Sequence, residues 1–323
     1  MKQNLGLIQS MRLLAVLGLV MFGLAAAVPR AEANAVSFNH IYVFGDSLSD
    51  TGNYYRLSGL PAAPYVDGRF CNGPLWVEYL AASLRMDYQP ADNFAVAGAT
   101  TGTVNSNGKE YSGLQDEIDS FQAMGAVSEP ERALYVVAAG GNDFFVALAA
   151  GTRPDVLIGN GVWNTVTAIQ RLWASGARHI LVMNVADLGV TPAAQSIGFG
   201  PLLTQLSAAY DQVLDQALDQ LAQAGVSTIR LDAFAVLDEM AYTPADYGFS
   251  NVTTPLIMAG SVPNPDEFLF WDGKHPTTGA HKVLAQEALQ QLISTFSPSN
   301  GQATPDASAN ALHGLVNASQ HKN

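Results

Sequence analysis

The chain of 323 residues has one cysteine, Cys71, so no intramolecular disulfide can staple it and its stability must come from burial. Charge is scarce too, with 13% charged residues against 48% hydrophobic ones. So apolar a composition excludes disordered and fibrous classes. It suits one well-buried domain of the larger α/β kind, or two small ones. Basic residues are the rarer sign, 15 against 28 acidic, for a formal net charge of -13. A surface of that sign repels nucleic-acid phosphates and anionic membranes, and neither is expected as a partner. No two of the six histidines stand at zinc-ligand spacing, so a metal-dependent hydrolase is not expected. No internal repeat is present.

The apolar run Leu13–Val28 is shorter than the roughly 20 residues that span a bilayer comfortably. Lys2 and Arg12 precede it, and Pro29 and the small residues Ala31, Ala33 and Ala35 follow. A basic start, a short apolar stretch and an A-x-A site read as a secretory signal over residues 1–33, with cleavage after Ala33 or Ala35. The mature protein is therefore expected to be secreted or periplasmic, an uncleaved anchor being the alternative. Cys71 lies too far from the cleavage site to carry a lipoprotein's lipid. Residues 297–323, rich in Ser, Asn, Gln, Ala and Gly, read as a flexible tail, which leaves a domain over 36–296. Asn251-Val252-Thr253 and Asn317-Ala318-Ser319 fit the glycosylation pattern, relevant only in a eukaryotic secretory route.

Within that domain, short β-rich runs alternate with helical patterns. Strands are expected at His40–Phe44, Asn93–Ala97, Ala133–Ala139, His179–Val185 and Ser227–Leu231, several of them apolar throughout, as strands buried on both faces are. Helices are expected near Leu75–Leu84, Gly113–Met124, Gly161–Ala174, Leu202–Ala224 and Thr278–Phe296. The alternation predicts a parallel sheet with helices on both faces, whose ligands bind beyond the carboxyl ends of the strands. Tyr54–Pro74, Leu188–Gly200 and roughly Ala235–Phe270 read as long loops that can roof or line a cleft.

The first strand runs into Gly45-Asp46-Ser47-Leu48, which places a hydroxyl at the ligand-binding rim. By itself this tetrapeptide is an ordinary turn. His313 and His321 fall in the tail, and His40 and His179 start strands, at the wrong end of the sheet. His275 and His281 remain as candidate bases. His275 stands at a loop-to-helix junction with Pro276 at an early helical position. Asp272, three residues earlier across Gly273, can fold back onto its Nδ1, leaving Nε2 to deprotonate Ser47. His281 has no comparable acid, and a surface or packing role is expected. Gly98 and Asn142 follow the second and third strands and can join the Ser47 N–H as donors to an oxyanion, although each alone is simple turn chemistry.

Together these residues resemble the GDSL, or SGNH, hydrolase superfamily, whose four blocks carry Ser, Gly, Asn and His in the order of Ser47, Gly98, Asn142 and His275. Phe44-Gly45-Asp46-Ser47-Leu48-Ser49-Asp50-Thr51-Gly52-Asn53 is similar to the first block of the lipase-like branch. That branch holds plant secreted lipases and bacterial phospholipases, lecithinases and haemolysins. Gly68-Arg69-Phe70-Cys71-Asn72-Gly73 with Trp76 and Glu78, and the segment Phe270–Pro276, are similar to it as well. The resemblance spans roughly Ile41 to Ile293. It implies a flavodoxin-like three-layer α/β/α fold, a shallow open cleft, and no metal or cofactor. Two departures stand out. Cys71 occupies a place where Ser or Thr is common, and the paired cysteines of plant members and some bacterial acyltransferases are missing.

The expected function is hydrolysis of carboxylic esters through an acyl-enzyme on Ser47, with His275 as base and Asp272 as its partner. A phospholipase or lipid acyltransferase with the same triad is the first alternative, since Leu256, Ile257, Met258, Phe268, Leu269 and Phe270 can meet an acyl chain or simply be core. A catalytically silent secreted binding protein is the second. Transient contact with a lipid interface is compatible with all three.

Overall fold

The computed structural model describes residues 37–109, 112–260, 262 and 264–297. The signal segment 1–33, the tail beyond 297, His313, His321 and the motif at Asn317 lie outside these residues.

Four parallel strands, β1 (Ile41–Gly45), β2 (Leu134–Ala138), β3 (His179–Met183) and β4 (Ile229–Leu231), form a sheet in the order β1-β2-β3-β4. The run expected as a strand at Asn93–Ala97 is only partly one. A single parallel bridge, Val43 to Asn93, and two hydrogen bonds, Phe94 N to Val43 O and Val96 N to Gly45 O, lay it along the outer edge of β1. Counted as the second strand, this edge makes the order 2-1-3-4-5, that of flavodoxin-like folds. Chain direction across the sheet then reverses between β1 and β2, and the crevice beyond their carboxyl ends is where such folds bind ligands.

The helices are α1 (Asn53–Ser58), α2 (Trp76–Ser83), α3 (Leu114–Ala123), α4 (Gly141–Ala150), α5 (Pro154–Ala174), α6 (Pro192–Ser196), α7 (Gly200–Gln223), α8 (Ala233–Tyr242) and α9 (Thr278–Phe296). Successive strand side chains point to opposite faces and build two cores. Ile41, Val43, Val136, Leu181 and Leu231 pack with Trp76, Leu80, Leu237 and Leu284 of α2, α8 and α9. Tyr42, Phe44, Tyr135, Val137 and Val182 pack with Ile118, Ile169 and Leu214 of α3, α5 and α7. Each such side chain, once fully buried, contributes roughly 1.5–3 kcal/mol.

The segment Ala235–Phe270, expected as loop, begins inside α8. Val236, Leu237 and Met240 there recur at helical spacing and are buried. Similarly, Tyr54–Pro74 begins inside α1, and Leu188–Gly200 contains α6. Among the described residues, no helix is long and apolar enough to cross a membrane.

Candidate active site

The end of β1 leaves no freedom for any residue but glycine. A Cβ on Gly45 would sit 2.2 Å from the carbonyl oxygen of Ala138 on β2. Beyond it the chain turns tightly. Ser49 N and Asp50 N both donate to Asp46 O at 2.9 Å, and Leu48 N donates to Asp46 Oδ1. Ser47 stands partly exposed on this turn.

Its Oγ lies 2.9 Å from His275 Nε2, and His275 Nδ1 lies 2.7 Å from Asp272 Oδ2. The other oxygen of Asp272 accepts the N–H groups of Lys274 and His275, each at 2.8 Å. Burial acts to raise the Asp272 pKa. The hydrogen bond and charge of His275, together with those two N–H groups, outweigh it and hold the carboxyl well below its usual range. A carboxylate so placed leaves Nδ1 as the protonated nitrogen and Nε2 free to accept from Ser47.

Pro276 is not in the helix as expected. It bridges to Phe270, and α9 starts two residues later at Thr278. The segment Gly68–Glu78 braces this junction. Arg69 makes a two-pronged ion pair with Glu78, which also accepts from Leu75 N at the start of α2. Asn72 Oδ1 accepts from Thr278 N, and the ring of Phe70 lies 5.1 Å from that of His275. Cys71 is fully buried. Burial pushes its thiol up to about 12, which leaves it inert.

Among the described residues, the backbone N–H groups of Ser47 and Gly98 have no acceptor in the protein. Gly98 has a φ of +89°, and a Cβ there would collide with Asn105 and Asn107 at 2.4 and 2.3 Å. Asn142, in the first turn of α4, is gripped on every polar atom. Its Nδ2 donates to Ala99 O at 3.1 Å and to Asp46 Oδ2 at 3.3 Å, and its Oδ1 accepts from Ser106. Asp46 is buried, and burial above all raises it to about 6. Ser47, His275 and Asp272 are thus brought into one chain, and Asn142 reaches the Ser47 turn through Asp46.

The other described histidines stand elsewhere. His40 pairs with Asp92 at the amino end of β1, and His179 packs edge-on against Phe38 and Phe296. His281 is buried, accepts from Trp76 N and is driven down to about 3 by burial and then by the charge of His275.

Two groups at the site went unread in the sequence. Glu117 of α3 is fully buried and accepts from Gly45 N at 2.7 Å and Val96 N at 3.1 Å, tying the β1 terminus to the edge run that carries Gly98. It falls on the apolar face set by Leu114, Ile118 and Phe121, a detectable anomaly. Tyr65 donates to Asp272 Oδ2 at 2.8 Å across 207 residues, which no local pattern foretells.

Residues 41–288 match the family described as GDSL-like Lipase/Acylhydrolase. The chain belongs to this family. It is 29% identical over 334 residues to the phosphatidylcholine-sterol acyltransferase of Aeromonas hydrophila, covering 85% of this chain and 96% of that one. It is 26% identical over 325 residues to the GDSL esterase/lipase At5g22810 of Arabidopsis thaliana, covering 80% and 90%. The acetylxylan esterase Axe2 of Geobacillus stearothermophilus superposes with a TM-score of 0.46 at 14% identity, covering 82% of this chain and all of that one. As a GDSL family member, the protein is a carboxylic ester hydrolase.

Proposed function

We propose that the protein is a secreted esterase or lipase that works through a Ser47–His275–Asp272 triad and an acyl-enzyme. The observation that carries this reading is the unbroken run of contacts from Asp272 through His275 to Ser47 Oγ, with the N–H groups of Ser47 and Gly98 left without an acceptor among the described residues. Ser47 Oγ attacks the ester carbonyl while its proton passes to His275 Nε2. The tetrahedral oxyanion is received by the Ser47 and Gly98 N–H groups and by Asn142 Nδ2, which gives up its longer contact with Asp46. His275 returns the proton to the departing alcohol, and Asp272 stabilises the imidazolium without taking the proton. Water, activated by the same ring, then releases the acid.

The basic start, short apolar run and small residues near Ala33 support export. Contact with a lipid surface is supported by two segments, each hydrogen-bonded to the catalytic one, that expose apolar side chains. Leu57 and Leu60 precede Tyr65 on one, and Ile197, Phe199 and Leu202 flank the α6–α7 connection on the other. The first meets the catalytic segment through Tyr65 to Asp272, and the second through Ala193 N of α6 to Gly273 O. With a net charge of -13, a neutral or zwitterionic surface is the compatible one. A second reading, transfer of the acyl group to an alcohol, draws support from the similarity to an enzyme named as a sterol acyltransferase.

The decisive experiment compares wild type with Ser47→Ala on p-nitrophenyl butyrate, alongside fluorophosphonate labelling and thermal unfolding. Loss of turnover and of labelling with an unchanged melt is expected. Undiminished turnover in the variant refutes the assignment. Product analysis with phosphatidylcholine, with and without a sterol acceptor, separates hydrolysis from transfer.

A further inference from the structure

We propose that Tyr65 is a fourth member of the catalytic hydrogen-bond chain, a positioning residue whose hydroxyl moderates how strongly Asp272 stabilises protonated His275. The inference rests on the triad reading above and adds a residue that reading does not use.

The hydroxyl donates to Asp272 Oδ2 at 2.8 Å, the same oxygen that His275 Nδ1 meets at 2.7 Å. Oδ1 already takes the Lys274 and His275 N–H groups. Four donors therefore fill the roughly four lone-pair positions a carboxylate offers. Tyr65 is held there by packing. Its ring meets Trp271 edge-on and Phe70 at a steep angle, both at 5.7 Å, and Phe70 in turn lies over His275. Burial, and then the charge of Asp272, push the phenol further above its ordinary pKa, so it stays a donor throughout the working range.

A second donor on Oδ2 has two effects. It fixes the carboxylate's orientation, and it draws off negative charge from the atom that faces the imidazolium. Removing it makes Asp272 a stronger partner for the charged ring while loosening its aim. The other titratable residues around the His275–Asp272 pair are Asp46, His281, Lys274 and Cys71. A change confined to the Tyr65 hydroxyl leaves all four in place.

Tyr65→Phe keeps the ring and deletes the donor. In kcat/KM against pH for p-nitrophenyl butyrate, the acid limb reports the free enzyme's base. It is expected to move to higher pH by roughly half a unit, with the plateau kcat falling about threefold to tenfold. Site-specific 3-fluorotyrosine at position 65, a stronger donor with nearly the same shape, must move the limb the opposite way. In an Asp272→Asn background, Tyr65→Phe must leave the limb where it is. A limb unmoved by both the Phe and the fluorotyrosine variants would show that Tyr65 only packs, and would overturn the proposal while leaving the triad intact. Loss of the triad itself would instead be seen in the Ser47→Ala comparison.

Discussion

Replacing Asn142 with Ala tests the proposed oxyanion site at its most constrained member. The two Nδ2 hydrogens are spent on Ala99 O at 3.1 Å and Asp46 Oδ2 at 3.3 Å, and one must be released to meet the oxyanion. Losing an oxyanion donor costs about 2.7–4 kcal/mol. Because the native amide forfeits a long contact to a carboxylate on the way, the loss falls near the bottom of that range. About 3 kcal/mol, or roughly 150-fold in kcat, is expected, with KM within about threefold of wild type because the interaction belongs to the transition state. Steady-state kinetics on a soluble short-chain ester, with circular dichroism as a folding control, measure both. A folded variant whose kcat stays within about fivefold of wild type would refute the reasoning. Asn142 would then be a clamp for the Ser106 loop, and the two backbone N–H groups would carry the oxyanion alone.

Two further outcomes concern stability. Glu117→Ala strips the buried Gly45 N–H of its acceptor and leaves Val96 N–H with Gly45 O alone, and is expected to cost about 1–3 kcal/mol, lowering the melting temperature by roughly 3–10 °C by calorimetry; an unchanged melt would mean water replaces the carboxyl group. Asp211 is buried with Oδ2 unpartnered, and burial, then neighbouring acids, raise it to about 8. Its folded pKa lies above the unfolded value, so it contributes stability below pH 4 and opposes folding increasingly as pH climbs toward 8. Asp211→Asn keeps the acceptor for Val185 N and should stabilise the protein by about 1–2 kcal/mol at pH 7.5, with the gain vanishing near pH 4 in urea titrations. A gain independent of pH would contradict this account.

The sheet was legible because its strands are buried on both faces, which writes continuous apolar runs into the sequence at β1, β2 and β3. The edge run at Asn93–Ala97 has equally strand-like residues but one bridging partner, and tertiary pairing is invisible to a local pattern. Helix α4 was hidden by its opening, Gly140-Gly141-Asn142-Asp143, which has the composition of a turn. Ser47, Asp272 and His275, which the structure brings into hydrogen-bond contact, could be singled out because Ser47 follows a strand and Asp272 stands three residues before His275. Tyr65 could not, because its role arises from a contact between segments far apart in the chain, inside a loop with no periodicity to place it.

The weakly paired edge run has a consequence for how the enzyme can change. Beyond its two hydrogen bonds to β1, its carbonyl and amide groups are held by the side chains of Asn53, Asp50, Asn105 and Glu117. Gly98 therefore hangs from a scaffold of exchangeable polar arms, whereas Ser47 is anchored in the central sheet. Swapping those arms can retune the placement of Gly98, the oxyanion donor proposed above, at the cost of the buried hydrogen bonds they make. Rate and thermal endurance can then diverge from one another in related sequences, and directed evolution aimed at new esters has a small, defined set of positions at which to begin.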